Sequence, residues 1–138
     1  MIKFTIQGEP KGKGRPIFSR GNKFVRVYTP ETTVNYENWV KICFQNAKQK
    51  LHTGQLQAQI KCYMGIPKSC TKKKREESLN GKIRPTKKPD IDNIIKCIFD
   101  ALNGLAYKDD KNIVSCTVDK WYSEEPRVEV EIWELKGE

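Results

Sequence analysis

Hydrophobic and polar residues alternate at the start of the chain, where polar side chains separate Ile2, Phe4 and Ile6. A period of two is typical of a strand with one buried face. A longer alternation covers residues 55–66 and ends at Pro67. The pattern therefore predicts two strands separated by about fifty residues of different character.

Two other segments repeat hydrophobic residues every three to four positions, which is the period of a helix with one buried face. The first follows Thr29 and Pro30, residue types that favour a helix N-cap and the first helical position. Its pattern predicts a helix that ends near His52. The second segment follows Pro89, and Asn103-Gly104 predicts its end.

The C-terminal part contains two further strand patterns, over residues 114–118 and 128–132, with a turn-forming sequence between them. These two strands are predicted to pair as a hairpin. Residues 69–79 are expected to form a short charged helix. The element order predicts an α+β fold in a single domain over residues 1–138, with a small mixed or mostly antiparallel sheet and two main helices.

Composition excludes several classes of protein. The 138 residues suit one domain, and no apolar run is long enough for a membrane span or a signal peptide, so we expect a soluble, cytoplasmic protein. Five cysteines without paired spacings predict reduced thiols. His52 is the only histidine, which excludes a histidine-rich metal site and Ser-His-Asp chemistry within one chain.

The net charge of +9 is unevenly distributed. Residues 1–26 carry seven basic residues against one acidic residue, residues 68–88 carry nine against two, and residues 109–138 carry four against nine. Clustered lysine and arginine suit a nucleic-acid backbone, although a solvated basic surface is the alternative. The residues predicted to contact DNA lie in a basic loop, residues 8–29, and a basic insert, residues 67–89: Lys11, Lys13, Arg15, Lys72, Lys73, Lys74, Lys87 and Lys88.

Acidic residues lie close together where the second helix is predicted to begin. Asp90 and Asp92 would point about 200° apart on a regular helix, so both can serve one site only if Asp90 is the non-helical N-cap. Lys96 follows Asp92 by one turn. A second acidic pair, Asp109-Asp110, precedes a predicted strand and could return to the same place. The alternative is that these residues only cap the helix and form an exposed ion pair.

Three carboxylates, those of Asp90, Asp92 and Asp110 in the acidic site at residues 90–110, offer the hard oxygen ligands that Mg²⁺ prefers. A bound metal ion can activate water and stabilise charge at a phosphorus centre. No organic cofactor is expected. Phosphodiester hydrolysis is the reaction that connects such acids with basic, DNA-binding segments.

The motifs Lys88-Pro89-Asp90-Ile91-Asp92-Asn93-Ile94-Ile95-Lys96, Phe99-Asp100-Ala101-Leu102-Asn103-Gly104 and Tyr107-Lys108-Asp109-Asp110 closely resemble those of the RusA family of Holliday-junction resolvases. The segment of residues 8–16 resembles that family too. The resemblance implies a small α+β homodimer that uses Mg²⁺ to resolve four-way junction DNA, with Asp90, Asp92, Asp110 and Lys96 at the functional positions. Lys87-Lys88 stands where other members can carry arginine.

Two alternatives remain at this point. The chain could be a DNA- or RNA-binding module without catalysis, or an interaction protein with an acidic C-terminal hairpin. Trp39, Trp121 and Trp133 could stack on bases, or could anchor the core and interfaces. If Asp109 and Asp110 begin a strand, their side chains point in opposite directions, and the resemblance selects Asp110 for the site.

Overall fold

The computed structural model describes residues 1–13, 17–20, 25–28 and 31–135, and it describes only the backbone in the second and third of these ranges. The elements in chain order are β1 Ile2–Gln7, β2 Ile17–Arg20, β3 Val25–Tyr28, α1 Glu31–Asn46, β4 Leu56–Gly65, α2 Lys72–Leu79, α3 Ile91–Leu102, β5 Ile113–Ser123 and β6 Arg127–Glu134. A 3₁₀ turn, Asp110–Asn112, precedes β5. The predicted α+β class is confirmed.

The main sheet has the strand order β1-β6-β4-β5 and is mixed. β4 pairs with β5 in parallel and with β6 antiparallel, and β6 pairs antiparallel with β1. The predicted hairpin between β5 and β6 is therefore wrong, because β4 lies between them. Alternation in a sequence identifies the buried face of a strand, but it does not identify the neighbour that a strand pairs with.

The basic loop contains an element that the sequence reading missed. β2 and β3 pair antiparallel as a two-stranded sheet, with Ile17 opposite Tyr28 and Arg20 opposite Val25. Each strand has only four residues and includes an arginine, so no clear hydrophobic period was visible. β-branched and aromatic residues nevertheless favour strands. Part of the segment predicted as a loop is thus a hairpin-like pair of strands.

The core lies against one face of the main sheet. α1 and α3 pack on each other and on this face, and their side chains join those of β1, β4 and β6 in one hydrophobic cluster. β4 alternates buried and half-buried side chains over its whole length. In α3 the buried side chains are Ile94, Cys97, Ile98, Phe99, Ala101 and Leu102. The predicted bounds of α3 and of β4 agree with the structure to within one or two residues.

The first helix is shorter than its hydrophobic pattern predicted. α1 ends at Asn46, and Lys48 has a positive φ of 53°. A left-handed residue just beyond the last turn is a common way to end a helix. Leu51, expected on the buried face, is exposed. The predicted cap Thr29 and the following Pro30 lie outside the described residues.

All five cysteines are free thiols, as predicted. Burial raises the pKa of Cys62 and of Cys97 to about 12, so both remain protonated in the core. Within the described ranges, no helix has both the length and the apolar character needed to cross a bilayer.

Tyr107 joins the end of α3 to the segment that carries the second acidic pair. Its side chain is completely buried, and its hydroxyl donates a hydrogen bond of 2.6 Å to the backbone carbonyl of Phe99. The two rings also meet edge to face, with centroids 6.4 Å apart. Burial raises the pKa of Tyr107 above its ordinary value. The contact fixes the turn between α3 and residues 108–110.

We expect Tyr107→Phe to lower the free energy of unfolding by about 1 kcal/mol, because it leaves a buried carbonyl without its hydroxyl donor. Urea denaturation monitored by circular dichroism measures this difference. Tyr122→Phe, on the partly exposed β5, is the matched control and should change stability by less than about 0.5 kcal/mol. Equal stability of the two variants would show that the Tyr107 hydroxyl does not hold this turn.

Candidate active site

Asp90 occupies the N-cap position of α3, as predicted. Its backbone is extended, with φ −71° and ψ 153°, and its carbonyl accepts a hydrogen bond from Ile94 at 3.0 Å. The Asp90 side chain, however, makes no capping hydrogen bond. Its exposed carboxylate is therefore available to a ligand, and the alternative in which it serves only to cap the helix is not supported.

Asp92 and Lys96 follow on the exposed surface of α3. A separation of four residues places them about 40° apart around the helix axis. No ion pair joins them in the part of the chain that the structure describes. The carboxylate of Asp92 and the ammonium of Lys96 thus share a face of the helix and both remain accessible.

Asp109 and Asp110 do not begin a strand, so the argument that their side chains must point in opposite directions is wrong. Asp109 is the cap of the 3₁₀ turn, and its Oδ1 accepts a hydrogen bond from the backbone N–H of Lys111 at 3.0 Å. The two carboxyl groups also hydrogen-bond to each other. The second acidic pair therefore forms one unit.

This unit is electrically asymmetric. The backbone N–H of Lys111, followed by the Asp110 hydrogen bond, lowers the pKa of Asp109 below its usual value. The hydrogen bond with Asp109 raises the pKa of Asp110, and partial burial and the negative charges of Asp109 and Asp100 raise it further. The surroundings thus favour the ionised form of Asp109 and the protonated form of Asp110.

Asn103 anchors this acidic pair and was missed in the sequence reading, which assigned it only to the helix end. Its side-chain Oδ1 accepts a hydrogen bond of 2.9 Å from the backbone N–H of Asp110. Asn103 lies about 20° from Asp92 around the axis of α3, given their separation of eleven residues. The spacing of Asp92, Lys96 and Asn103 along one stripe was the available sequence signal.

The three predicted metal ligands do not form a closed cluster. Over the described residues, no three His, Cys, Asp or Glu side chains are close enough together to hold a metal ion. Asp90 and Asp92 stand at the start of α3, whereas Asn103 holds the backbone of Asp110 at its end. A helix of twelve residues is about 18 Å long. The polar stripe of α3 connects the two acidic groups.

The N-terminal segment lies directly on α3. The backbone N–H of Lys13 donates a hydrogen bond of 3.0 Å to the carbonyl of Asn93. A Cβ atom at Gly12 would lie 2.7 Å from Cβ of Asn93, so only glycine permits this approach. Lys11, one of the predicted DNA contacts, is exposed. Arg15 lies outside the described residues.

The structure separates the positive charges of the basic insert into two groups. Arg75 Nη2 lies 2.6 Å from Glu124 Oε1, and Arg84 Nη2 lies 3.0 Å from Asp119 Oδ1, so both arginines attach the insert near the end of β5. The predicted DNA contacts of this segment are also exposed but form no ion pair with a described residue: Lys72, Lys73, Lys74, Lys87 and Lys88.

Two of the three tryptophans act as structural anchors. The guanidinium of Arg84 stacks over the Trp121 ring at 3.8 Å, and the backbone at Gly81 packs against the same ring. Trp39 donates an indole hydrogen bond of 2.8 Å to the carbonyl of Gln7. Trp121 therefore joins the basic insert to β5, and Trp39 joins α1 to the end of β1.

Accessible carboxylates at a helix N-terminus, with lysines exposed on the segments beside them, combine possible metal ligands with possible phosphate contacts in a small α+β fold. The family model "Endodeoxyribonuclease RusA" matches residues 7–133, so the chain belongs to this endodeoxyribonuclease family. The chain is also 44% identical over 139 residues to the "Uncharacterized protein YqaN" of Bacillus subtilis (strain 168). This alignment covers 99% of the chain and 98% of the relative.

If Asp110 ligates a divalent cation, as the sequence predicts, Asn103→Ala should weaken cation binding on the order of 10-fold, because a residue that orients a ligand affects affinity without touching the metal. Titration calorimetry with Mn²⁺ in the absence of DNA measures the affinity. Asn112→Ala is the matched control, since Asn112 Nδ2 bonds the Gly54 carbonyl at 3.1 Å from the same 3₁₀ turn. Equal affinities in the two variants would show that Asn103 does not orient a metal ligand.

Proposed function

We propose that the protein is a Mg²⁺-dependent endonuclease that resolves four-way DNA junctions by paired, symmetric nicks. The observation that supports this most strongly is the free carboxylate of Asp90 at the N-terminus of α3, two residues before the exposed Asp92. Membership of the endodeoxyribonuclease family gives the reaction class. The junction substrate, the metal and the paired nicks are the finer parts of the proposal.

The donor set fits Mg²⁺. This ion uses one or two protein carboxylates and completes its coordination with water and substrate phosphate, so a closed protein cage is not needed. Asp90 and Asp92 would hold it from the start of α3. Asp110, the third proposed ligand, lies at the other end of this helix, so it would join them only from the second subunit of the proposed dimer. When bound, the metal ion supplies activated water and stabilises charge on the phosphoryl group. A carboxylate ligates in the ionised form, so the raised pKa of Asp110 makes metal binding there weaker as the pH falls.

Other groups of the chain would bind and orient the DNA. Lys96 projects from the face of α3 that carries Asp92, where its ammonium can stabilise negative charge on a phosphate. The N–H groups of the first turn of α3 also favour an anion. The exposed lysines of α2 and of residues 87–88 would contact the backbone of the junction arms, without sequence selectivity.

A second copy of the chain is part of the proposal, because two symmetric nicks require two sites related by a two-fold axis. An exposed apolar side chain at the start of β5 supports the proposal of a dimer. β5 is an edge strand of the main sheet, and its Val114 side chain is 57% exposed. Val114 and Cys116 line a surface depression of about 260 Å³ together with Asp110. An interface here would place the second subunit beside the acidic pair.

The alternative function is a DNA- or RNA-binding module that uses the same basic segments without cleavage. It shares the predicted phosphate contacts, and it differs in requiring neither a metal ion nor the acids. Cleavage therefore separates the two proposals, whereas binding does not.

We expect the protein to nick a labelled four-way junction in Mg²⁺, and to leave both a matched linear duplex and a junction in EDTA intact. Asp90→Asn, Asp92→Asn and Asp110→Asn should each reduce the rate below about one hundredth of wild type, because each removes a proposed metal ligand. Junction binding, measured in Ca²⁺ by fluorescence anisotropy, should be unchanged or tighter, since each change removes negative charge near phosphate.

Two further variants complete this experiment. Glu125→Gln neutralises an exposed carboxylate in the turn before β6 and should cleave at the wild-type rate. Asp109→Asn should retain partial activity, because its carboxyl group is hydrogen-bonded to the turn and to Asp110. Binding without any nicking by the wild-type protein would favour the alternative function. Full activity of Asp110→Asn with none in Asp109→Asn would exchange the roles of these two residues.

Lys96→Met should slow cleavage of bound junction on the order of 100-fold while changing affinity little, because the lysine is proposed to stabilise charge that develops in the transition state. Single-turnover rates at saturating protein measure this directly. Lys61→Met, on the sheet at β4, removes the same charge elsewhere and serves as the control. A wild-type rate for Lys96→Met would exclude a catalytic role for this lysine.

A further inference from the structure

Lys13 lies between α1 and α3, and its side chain is partly buried and paired with carboxylates of both helices. Its Nζ is 2.7 Å from Oδ2 of Asp100 on α3 and 3.4 Å from Oε1 of Glu37 on α1. The hydrogen bond with Asp100 raises the pKa of Lys13, and the charge of Glu37 raises it further. One ammonium group thus bridges the two helices that cover the sheet.

The carboxylates that hold Lys13 are partly withdrawn from solvent. Oε1 of Glu37 is buried and accepts no hydrogen bond from any described residue, so Lys13 is the cation that compensates it. A buried carboxylate whose cation has been removed is strongly unfavourable. This need keeps the ammonium between the two helices and makes it a poor donor to a DNA phosphate.

The backbone on either side reinforces the same placement. Lys13 N–H bonds the carbonyl of Asn93, in the first turn of α3, and Gly12 approaches both Asn93 and Pro89 too closely for a Cβ atom. These residues flank Asp90 and Asp92. The chain that enters the basic loop is therefore held against the acidic end of α3 by backbone and side chain together.

We propose that Lys13 is a positioning residue, which fixes the start of the basic loop beside Asp90 and Asp92 through its bridge to Asp100 and Glu37, and that it does not bind phosphate. This inference rests on the proposed endonuclease function for its consequence in catalysis. It assigns Lys13 a different role from that of Lys11, which lies two residues earlier and is exposed.

The first experiment measures the salt dependence of junction binding in Ca²⁺ for Lys13→Met and Lys11→Met. The loss of one phosphate contact reduces the slope of log affinity against log salt by about 0.9. Lys13→Met should keep the wild-type slope, and Lys11→Met should lose about one contact. A slope reduced by about 0.9 in Lys13→Met would identify it as a phosphate ligand and overturn the proposal, whatever Lys11 does.

The second experiment follows backbone hydrogen exchange in residues 8–13 and the single-turnover cleavage rate. Lys13→Met and Asp100→Asn should each raise exchange several-fold and slow cleavage about 10-fold at unchanged affinity. The double variant should be no worse than the more affected single variant, since Lys13→Met already breaks the contact that Asp100→Asn removes. Glu37→Gln should raise exchange in the same segment, and Lys13→Arg, which keeps the charge, should restore protection.

Lys3→Met is the matched control, because it breaks the ion pair of 3.7 Å with Glu131 on the sheet and should leave residues 8–13 protected. Additive losses, or wild-type protection in Asp100→Asn, would overturn the bridge. If Lys13→Met does not fold, Asp100→Asn and Lys13→Arg still decide the question. If the wild-type protein cleaves no junction, the endonuclease proposal fails, while exchange and salt slope still test the role of Lys13.

Discussion

α3 is held in one rotational setting by its apolar side chains. Ile94, Ile98 and Leu102 are fully buried against the sheet and α1, and a rotation about the axis would move all three toward water. Each such side chain contributes about 1.5–3 kcal/mol when buried. The rest of the helix surface is not buried, so the packing of the apolar face decides which polar residues face solvent. The positions of Asp92, Lys96 and Asn103 follow from this packing.

Charge in this protein serves two separate purposes. Lys13, Arg75 and Arg84 each lie within 4 Å of a carboxylate of another element and hold a segment in place. The lysines of α2 and residues 87–88 remain on the surface. A net charge of +9 therefore overstates the charge that is free to interact with a polyanion. Position in the fold, more than residue type, determines which cations are available.

Local patterns predicted the elements better than they predicted the contacts between them. The strict period of β4 and the strong apolar stripe of α3 fixed both elements closely, since each pattern reflects one buried face. The pairing of β5 with β4 and the bridge from Lys13 to Asp100 link residues far apart in the chain. No local period encodes such contacts, which arise only when the elements have packed.

At the candidate site, too, the positions of residues could be predicted from local patterns, whereas their contacts could not. The N-cap position of Asp90 could be predicted because proline precedes it and a helical pattern follows it. The absence of a capping hydrogen bond from its side chain could not be predicted, since the side chains of N-cap residues usually bond to the first turn. The hydrogen bond between Asp109 and Asp110 was also missed, because a 3₁₀ turn of three residues leaves no periodic signal.

The position of β4 between β5 and β6 imposes an order of assembly on the chain. Three residues connect Ser123 to Arg127, and they pass across the end of β4 from one of its edges to the other. Because β5 and β6 lie on opposite sides of β4, they are two strand spacings apart, about 10 Å. The last two strands are adjacent in sequence and would form a local hairpin if nothing stood between them. β4 is synthesised about fifty residues earlier, so it can act as the template on which they diverge.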